Sequence, residues 1–274
     1  MQEHVTTKQI LDFYLEAGVD ETIGEVPLDR FGMAPPPAIK RPTETVTPQT
    51  SPISNLSSVA RQPQTSPSST EVNLPNTEPV QKAKTTAAQA TSLSDLKAAL
   101  ENFEGCALQK MATRTVFSSG NSTASLMVID RAPSAEEDRK GQPFGGTTGD
   151  LLEKMLASIG IADYYLASCL PWRPPGGRAP TREEQAICLP FIKKHIELAA
   201  PTHILLCGEA AAFVLEQKNG INKLRGKWTD IETGSTTIPA LGIFHPAFLM
   251  DHPASKKLAW EDLLKLKAAL MQQP

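Results

Sequence analysis

Four short apolar runs set the architecture of this chain: Ser125 to Ile129, Tyr164 to Cys169, Thr202 to Cys207 and Pro239 to Phe244. Segments with helical apolar spacing separate them, near Gly149–Ile159, Arg182–Ala199 and Ala210–Gln217, and a last helix fits Trp260–Met271. Thr181 suits the N-cap of the second. Strands joined through helices run parallel, because each connection must cross back over the sheet. The expected fold is therefore α/β, one domain with a central, mainly parallel sheet flanked by helices on both faces. In such a sheet the loops after the strands' C-terminal ends converge on one crevice, where ligands bind.

Not all of the 274 residues belong to that unit. Residues 1–33 form a short N-terminal helical segment, in which Ile10, Leu11, Phe13, Tyr14, Leu15 and Val19 crowd one face. So short a helix is marginal alone, so it docks on its own domain or on a partner. QILDF loosely resembles a sliding-clamp peptide, which makes a repair or replication protein the candidate partner. Residues 34–90 hold ten of the 23 prolines, with no Gly and no aromatic residue. That composition cannot bury enough apolar area to offset chain entropy, so the segment is expected to be a disordered linker. The folded domain is expected over 91–274. It opens with Ser92 as N-cap, Asp95 at the third helical position and Leu93, Leu96, Ala99, Leu100 and Phe103 at helical spacing.

A net charge of −3 excludes a global positive field, so any nucleic-acid contact must come from a local basic cluster. The four cysteines, Cys106, Cys169, Cys188 and Cys207, make no CxxC pair. The N-terminal stretch has acidic residues and no long apolar run, unlike a secretory signal. No run reaches the ~18 apolar residues of a membrane span. These features point to a soluble, cytoplasmic protein with reduced thiols.

Four segments arrive in order at the strand ends: IDRAPSAEEDRKGQPFGGTTG, LASCLPWRPPGGRAPTREEQAICLPF, ILLCGEAAAFVL and FHPAFLMDHP. Together they resemble the uracil-DNA glycosylase superfamily, nearest to the bacterial and archaeal type with an iron–sulfur cluster. The likeness spans about residues 103–268 and leaves out the N-terminal helix and linker. It implies a base-excision repair enzyme that hydrolyses the N-glycosidic bond of a flipped-out uracil or related deaminated base in DNA. By this resemblance Phe144 stacks on the flipped base and His245 donates to a base carbonyl oxygen as charge builds there. Arg131, Ala132, Pro133 and Ser168 complete the base pocket, with amide donors from the backbone after Arg131. Arg173 and Arg178, and a second cluster of Lys223, Arg225 and Lys227, grip phosphates. Each assignment has a plainer alternative: a buried Phe beside a turn, a His held by backbone in a tight turn, and solvated surface cations.

The chain departs from the family where the chemistry sits. The family turn Gly-Glu-Ala-Pro-Gly reads Asp130-Arg131-Ala132-Pro133-Ser134 here, so Arg131 reverses the charge of the acidic position and cannot serve as a base. Asp130, one residue earlier, is the second candidate catalytic group beside His245, although a conserved turn would point it elsewhere. Ser168 stands where an asparagine reads the uracil edge, and Asp251 where a cation nears DNA. The four cluster thiolates are expected at Phe103, Cys106, Trp172 and Cys188, of which only Cys106 and Cys188 are cysteines. A four-iron cluster wants four thiolates. No cofactor is therefore expected unless Cys169 or another ligand substitutes, and Phe103 and Trp172 should fill the vacated volume as apolar core.

Two functions follow from these residues. One is a DNA glycosylase of reduced activity, favoured by His245 and Phe144. The other is a catalytically inactive glycosylase-like module that binds DNA or a repair partner, favoured by Arg131, Ser168 and Asp251. A nucleotide-binding protein of another type lacks support, since no GxGxxG or GxxxxGK[ST] loop follows the first strand.

Overall fold

The computed structural model describes residues 77–271, Ser235 excepted. The segment 1–33, its partner contact and the linker up to residue 76 lie outside the described residues. The last stretch of the expected linker does not hold: α1 spans Glu78–Gln89 and buries Val80, Ala83 and Ala87. Their i, i+3, i+7 spacing puts them on one face, which packs on the long helix α6 (Arg182–Ala199). Pro79 sits in the first turn, where a missing N–H costs nothing. The polar composition around these three residues hid the stripe.

Next come α2 (Leu93–Glu101) and α3 (Ala107–Met111). Ser92 caps α2 as expected, accepting from the Asp95 N–H at 3.1 Å. The sheet contains β1 (Ser118–Gly120), β2 (Leu126–Asp130), β3 (Tyr165–Ser168), β4 (His203–Cys207), β5 (Trp228–Thr233) and β6 (Thr236–Ile243). Its order is β1-β3-β2-β4-β6-β5. The inner strands β3, β2, β4 and β6 are parallel, in register through Ile129↔Ala167, Val128↔Leu205 and Leu206↔Gly242. These are the four expected strands. Both edges, β1 and β5, are antiparallel and carry no continuous apolar run, which is why the sequence does not announce them. Pro239 pairs with Asp230 of β5, one residue before the β4 ladder begins at Ala240, so its absent N–H leaves no central bond unmade.

Side chains alternate between two cores. Met127, Ile129, Ala167, Ile204 and Leu206 face α1, α2, α6 and α7 (Glu209–Val214). Leu126, Val128, Leu205, Cys207, Leu241 and Ile243 face α5 (Gly146–Ser158) and α10 (Lys256–Met271). Three short helices, α4 (Ala135–Lys140), α8 (Ile221–Leu224) and α9 (Pro246–Asp251), ride on loops at the strand ends. Among the described residues no helix is long and apolar enough to cross a membrane.

Candidate active site

The parity of β2 decides where Asp130 goes. Leu126 and Val128 point to the α5/α10 face, so the next residue of that series, Asp130, projects there too. It is 1% exposed and acts as a hub. Oδ1 accepts from the Arg131 N–H at 2.8 Å and Oδ2 from the Phe144 N–H at 2.8 Å. His245, the residue that caps α9, lies 2.8 Å from Oδ1 through Nε2. Its Nδ1 accepts from the Ala247 N–H at 3.1 Å. A ring nitrogen that accepts carries no proton, so the proton sits on Nε2, and Nε2–H donates to Asp130. Asp130 thus does not point elsewhere, as the sequence led us to expect; it pairs with His245. The plainer view of His245, held by backbone in a tight turn, also describes its Nδ1.

Phe144 is buried, with a left-handed φ of 54°. That conformation is unusual for a side-chain-bearing residue and is held by its N–H bond to Asp130. A Cβ on Gly149, in the first turn of α5, would collide with the Phe144 carbonyl oxygen, so glycine is required there. The Phe144 ring lies nearly parallel to His245, centroids 5.8 Å apart and planes 12° apart. A base between them needs two stacking distances, about 7 Å, so a flipped base must meet an outer face. Glu137 clamps both ends of this loop: its carboxylate accepts from the Ser134 N–H at 2.6 Å and the Gly145 N–H at 3.0 Å. Burial, then the nearby Asp130 charge, push the Glu137 carboxyl above its usual range.

A polar cleft of about 330 Å³ opens over the strand ends. Its wall contains Arg131, Ala132, Pro133, Arg173 and Arg178 from the expected set. Asp130, Phe144, Ser168 and His245 are not in that wall. Ser168 braces the neighbouring loops instead. Its hydroxyl donates to the Leu170 carbonyl at 2.5 Å, with the Arg131 carbonyl at 3.1 Å. The expected base-edge contact is thus not presented. Arg178 is bound bidentately by Glu184 at 2.6 and 2.8 Å, while the Arg173 Nε is buried without a hydrogen-bond partner. Arg225 departs from its expected role at DNA phosphates. It makes two bonds to the fully buried Asp262 at 2.8 and 2.9 Å, one to the Leu258 carbonyl, and stacks 5.3 Å over Phe244. Lys223 and Lys227 are exposed.

Of the wall residues outside the expected set, the one that carries a charge is Glu209, exposed on the cleft at the start of α7. Its signal was available, an acid following the glycine in ILLCGEAAAFVL, but nothing in that segment tells which way the turn faces.

At the four positions where thiolates would hold a cluster, Phe103 and Trp172 are 2% and 1% exposed. Their rings stack with centroids 6.2 Å apart, and Phe191 meets Phe103 edge-on at 5.0 Å. The Trp172 Nε1–H donates to Thr115 Oγ1 at 3.3 Å. The buried Cys106 and Cys188 thiols hydrogen-bond to each other, which lowers the Cys106 pKa and raises that of Cys188. Burial pushes the Cys169 thiol well up. Among the described residues no group of three or more His, Cys, Asp or Glu can hold a metal ion. The side chains present do not fit a four-iron cluster.

Comparison with known proteins agrees with the geometry. A family model described as the uracil DNA glycosylase superfamily matches residues 117–264. The Type-4 uracil-DNA glycosylase of Archaeoglobus fulgidus is 32% identical over 182 residues, 64% of this chain and 92% of that protein. That of Thermotoga maritima is 34% identical over 174 residues, 61% of this chain and 89% of that protein. The Saccharolobus solfataricus protein of the same description is 32% identical over 177 residues, 62% and 82% of the two chains. With the parallel sheet, the His245 turn and the arginine-walled cleft at one sheet end, these matches show that the chain belongs to the uracil-DNA glycosylase superfamily.

Proposed function

We propose that this chain is a DNA glycosylase that hydrolyses the N-glycosidic bond of a flipped-out uracil or related deaminated base, at a reduced rate. The observation that carries the reading is His245. Its ring is oriented by Ala247 on one side and Asp130 on the other, beside a cleft of about 330 Å³ that is large enough for a small ligand. Bond breakage sends an electron pair onto the base, and a preorganised N–H stabilises that charge where it develops. Nε2–H is the ring's one donor, and it already serves Asp130. A base oxygen must share or capture it, which lowers the benefit and supports a reduced rate. Arg131 and Arg173 supply positive charge for DNA phosphates from the cleft wall.

The same reading extends to the cofactor. Phe103, Trp172 and Phe191 fill the cluster volume with apolar core, and no step of the reaction runs through a cluster. Protein purified anaerobically should be colourless; stoichiometric iron and sulfide would contradict this. The activity is tested with oligonucleotides carrying uracil, hypoxanthine or xanthine, scored for abasic sites. Excision dependent on His245 supports the enzyme. DNA binding without excision on every substrate would leave the binding-module function instead.

A further inference from the structure

The reversed charge at Arg131 leaves an electrostatic gap. Hydrolysis of a glycosidic bond builds positive charge on the sugar and needs a water held at C1′, and an arginine serves neither purpose. We propose that Glu209 is the carboxylate that faces the sugar, taking over the work of the acidic position that Arg131 fills. This inference rests on the glycosylase reading above.

Three observations converge on Glu209. It lies in the wall of the same cleft as Arg131, Arg173 and Arg178. Its place is fixed by Gly208, whose φ of 62° and close approach to His245 both demand glycine: a Cβ there would come 2.8 Å from His245 Cβ. The Gly208 N–H is also tied to the Ile243 carbonyl at 2.8 Å, two residues before His245. The turn that presents Glu209 is thereby locked to the turn that presents the leaving-base donor. Lastly, Glu209 is exposed, and among the described residues no cation lies within ion-pair distance of it.

In the reaction, the C1′–N bond breaks and its electron pair leaves with the base, whose oxygen accepts a hydrogen bond from the His245 Nε2–H while the proton stays on the ring. Water oxygen forms the new bond to C1′. The proton that water sheds passes to the Glu209 carboxylate and on to solvent, and solvent protonates the base. Arg131, in the same cleft wall, holds phosphate.

The test compares single-turnover excision and DNA affinity for wild type, Glu209→Gln, Glu209→Gln with Arg131→Glu, and Glu232→Gln as a control for net charge. Glu232 is exposed on β5, away from the cleft wall. The expected result is a loss in rate on the order of 10² for Glu209→Gln with affinity unchanged or tighter, since a negative charge near DNA is gone. The double variant should recover much of the rate, and Glu232→Gln should match wild type. A misfolded variant would lose rate and affinity together, and the double variant would not recover. Wild type that excises while Glu209→Gln keeps its full rate overturns the inference alone. Wild type that excises nothing overturns both the inference and the glycosylase reading.

Discussion

Asp130 shows how much one residue can hold. Three donors converge on its buried carboxylate: two backbone N–H groups and His245. Asp130→Asn would turn an NH2 toward one of those donors. An unmet buried group costs about 1–3 kcal/mol, so the melting temperature should fall by several degrees, read by calorimetry. The leaving-base donor is tested separately. His245→Ala should reduce single-turnover excision on the order of 10²–10³ while DNA affinity stays near wild type. Arg131→Glu should excise faster and bind DNA more weakly, which a rate and a titration on one preparation would show. Much of this site was legible from residue order alone: His245, Phe144, Arg131 and Pro133 arrive on the expected turns. What the order could not show is pairing across the sheet. His245 and Asp130 are 115 residues apart, and their contact depends on strand parity and on the register of two strands that are not direct neighbours.

Elements were legible in proportion to how much apolar surface they bury. The four parallel strands carry continuous apolar runs and stand where the sequence put them. Edge strands β1 and β5 show mixed patterns because one side of each meets solvent, and α1 has a stripe of one valine and two alanines in a polar segment. That stripe gives a test: a chain starting at Thr91 should melt several degrees below one starting at Thr77, because the α6 face under Val80, Ala83 and Ala87 is bared. The α6 helix also carries a pH signature. His195 is buried, with its ring stacked on Phe117 at 4.2 Å and Nε2 2.9 Å from the Tyr165 hydroxyl. Burial pushes its pKa from 6.5 down to about 3. The unfolded chain then binds a proton that the folded chain refuses. His195 therefore favours the fold fully above pH 6.5 and progressively less as pH falls toward 3. From pH 7 to 5 this amounts to about 2 kcal/mol, seen as the difference between wild type and His195→Gln in denaturant titrations at each pH. Equal pH dependence in the two proteins would refute it.

At the scale of the whole molecule, a net charge of −3 means that DNA must be held by a few placed cations. The structure divides those that sequence had grouped. Arg131 and Arg173 face the cleft, Arg178 is neutralised by Glu184, and Arg225 braces Asp262. Arg173→Ala should therefore reduce the slope of log affinity against log salt by about 0.9 with little change in stability. Arg225→Ala should leave that slope alone and cost about 3–5 kcal/mol of stability, because it strands a buried carboxylate. The central claim is that this sheet end excises a deaminated base through His245. It is tested most directly by single-turnover incubation of the full chain with a uracil-bearing oligonucleotide, scored for abasic sites, beside His245→Ala. Abasic sites are expected with the wild-type chain, and a rate on the order of 10²–10³ lower with the variant. No abasic sites with the wild-type chain on bound DNA, or equal rates for the two proteins, would contradict it.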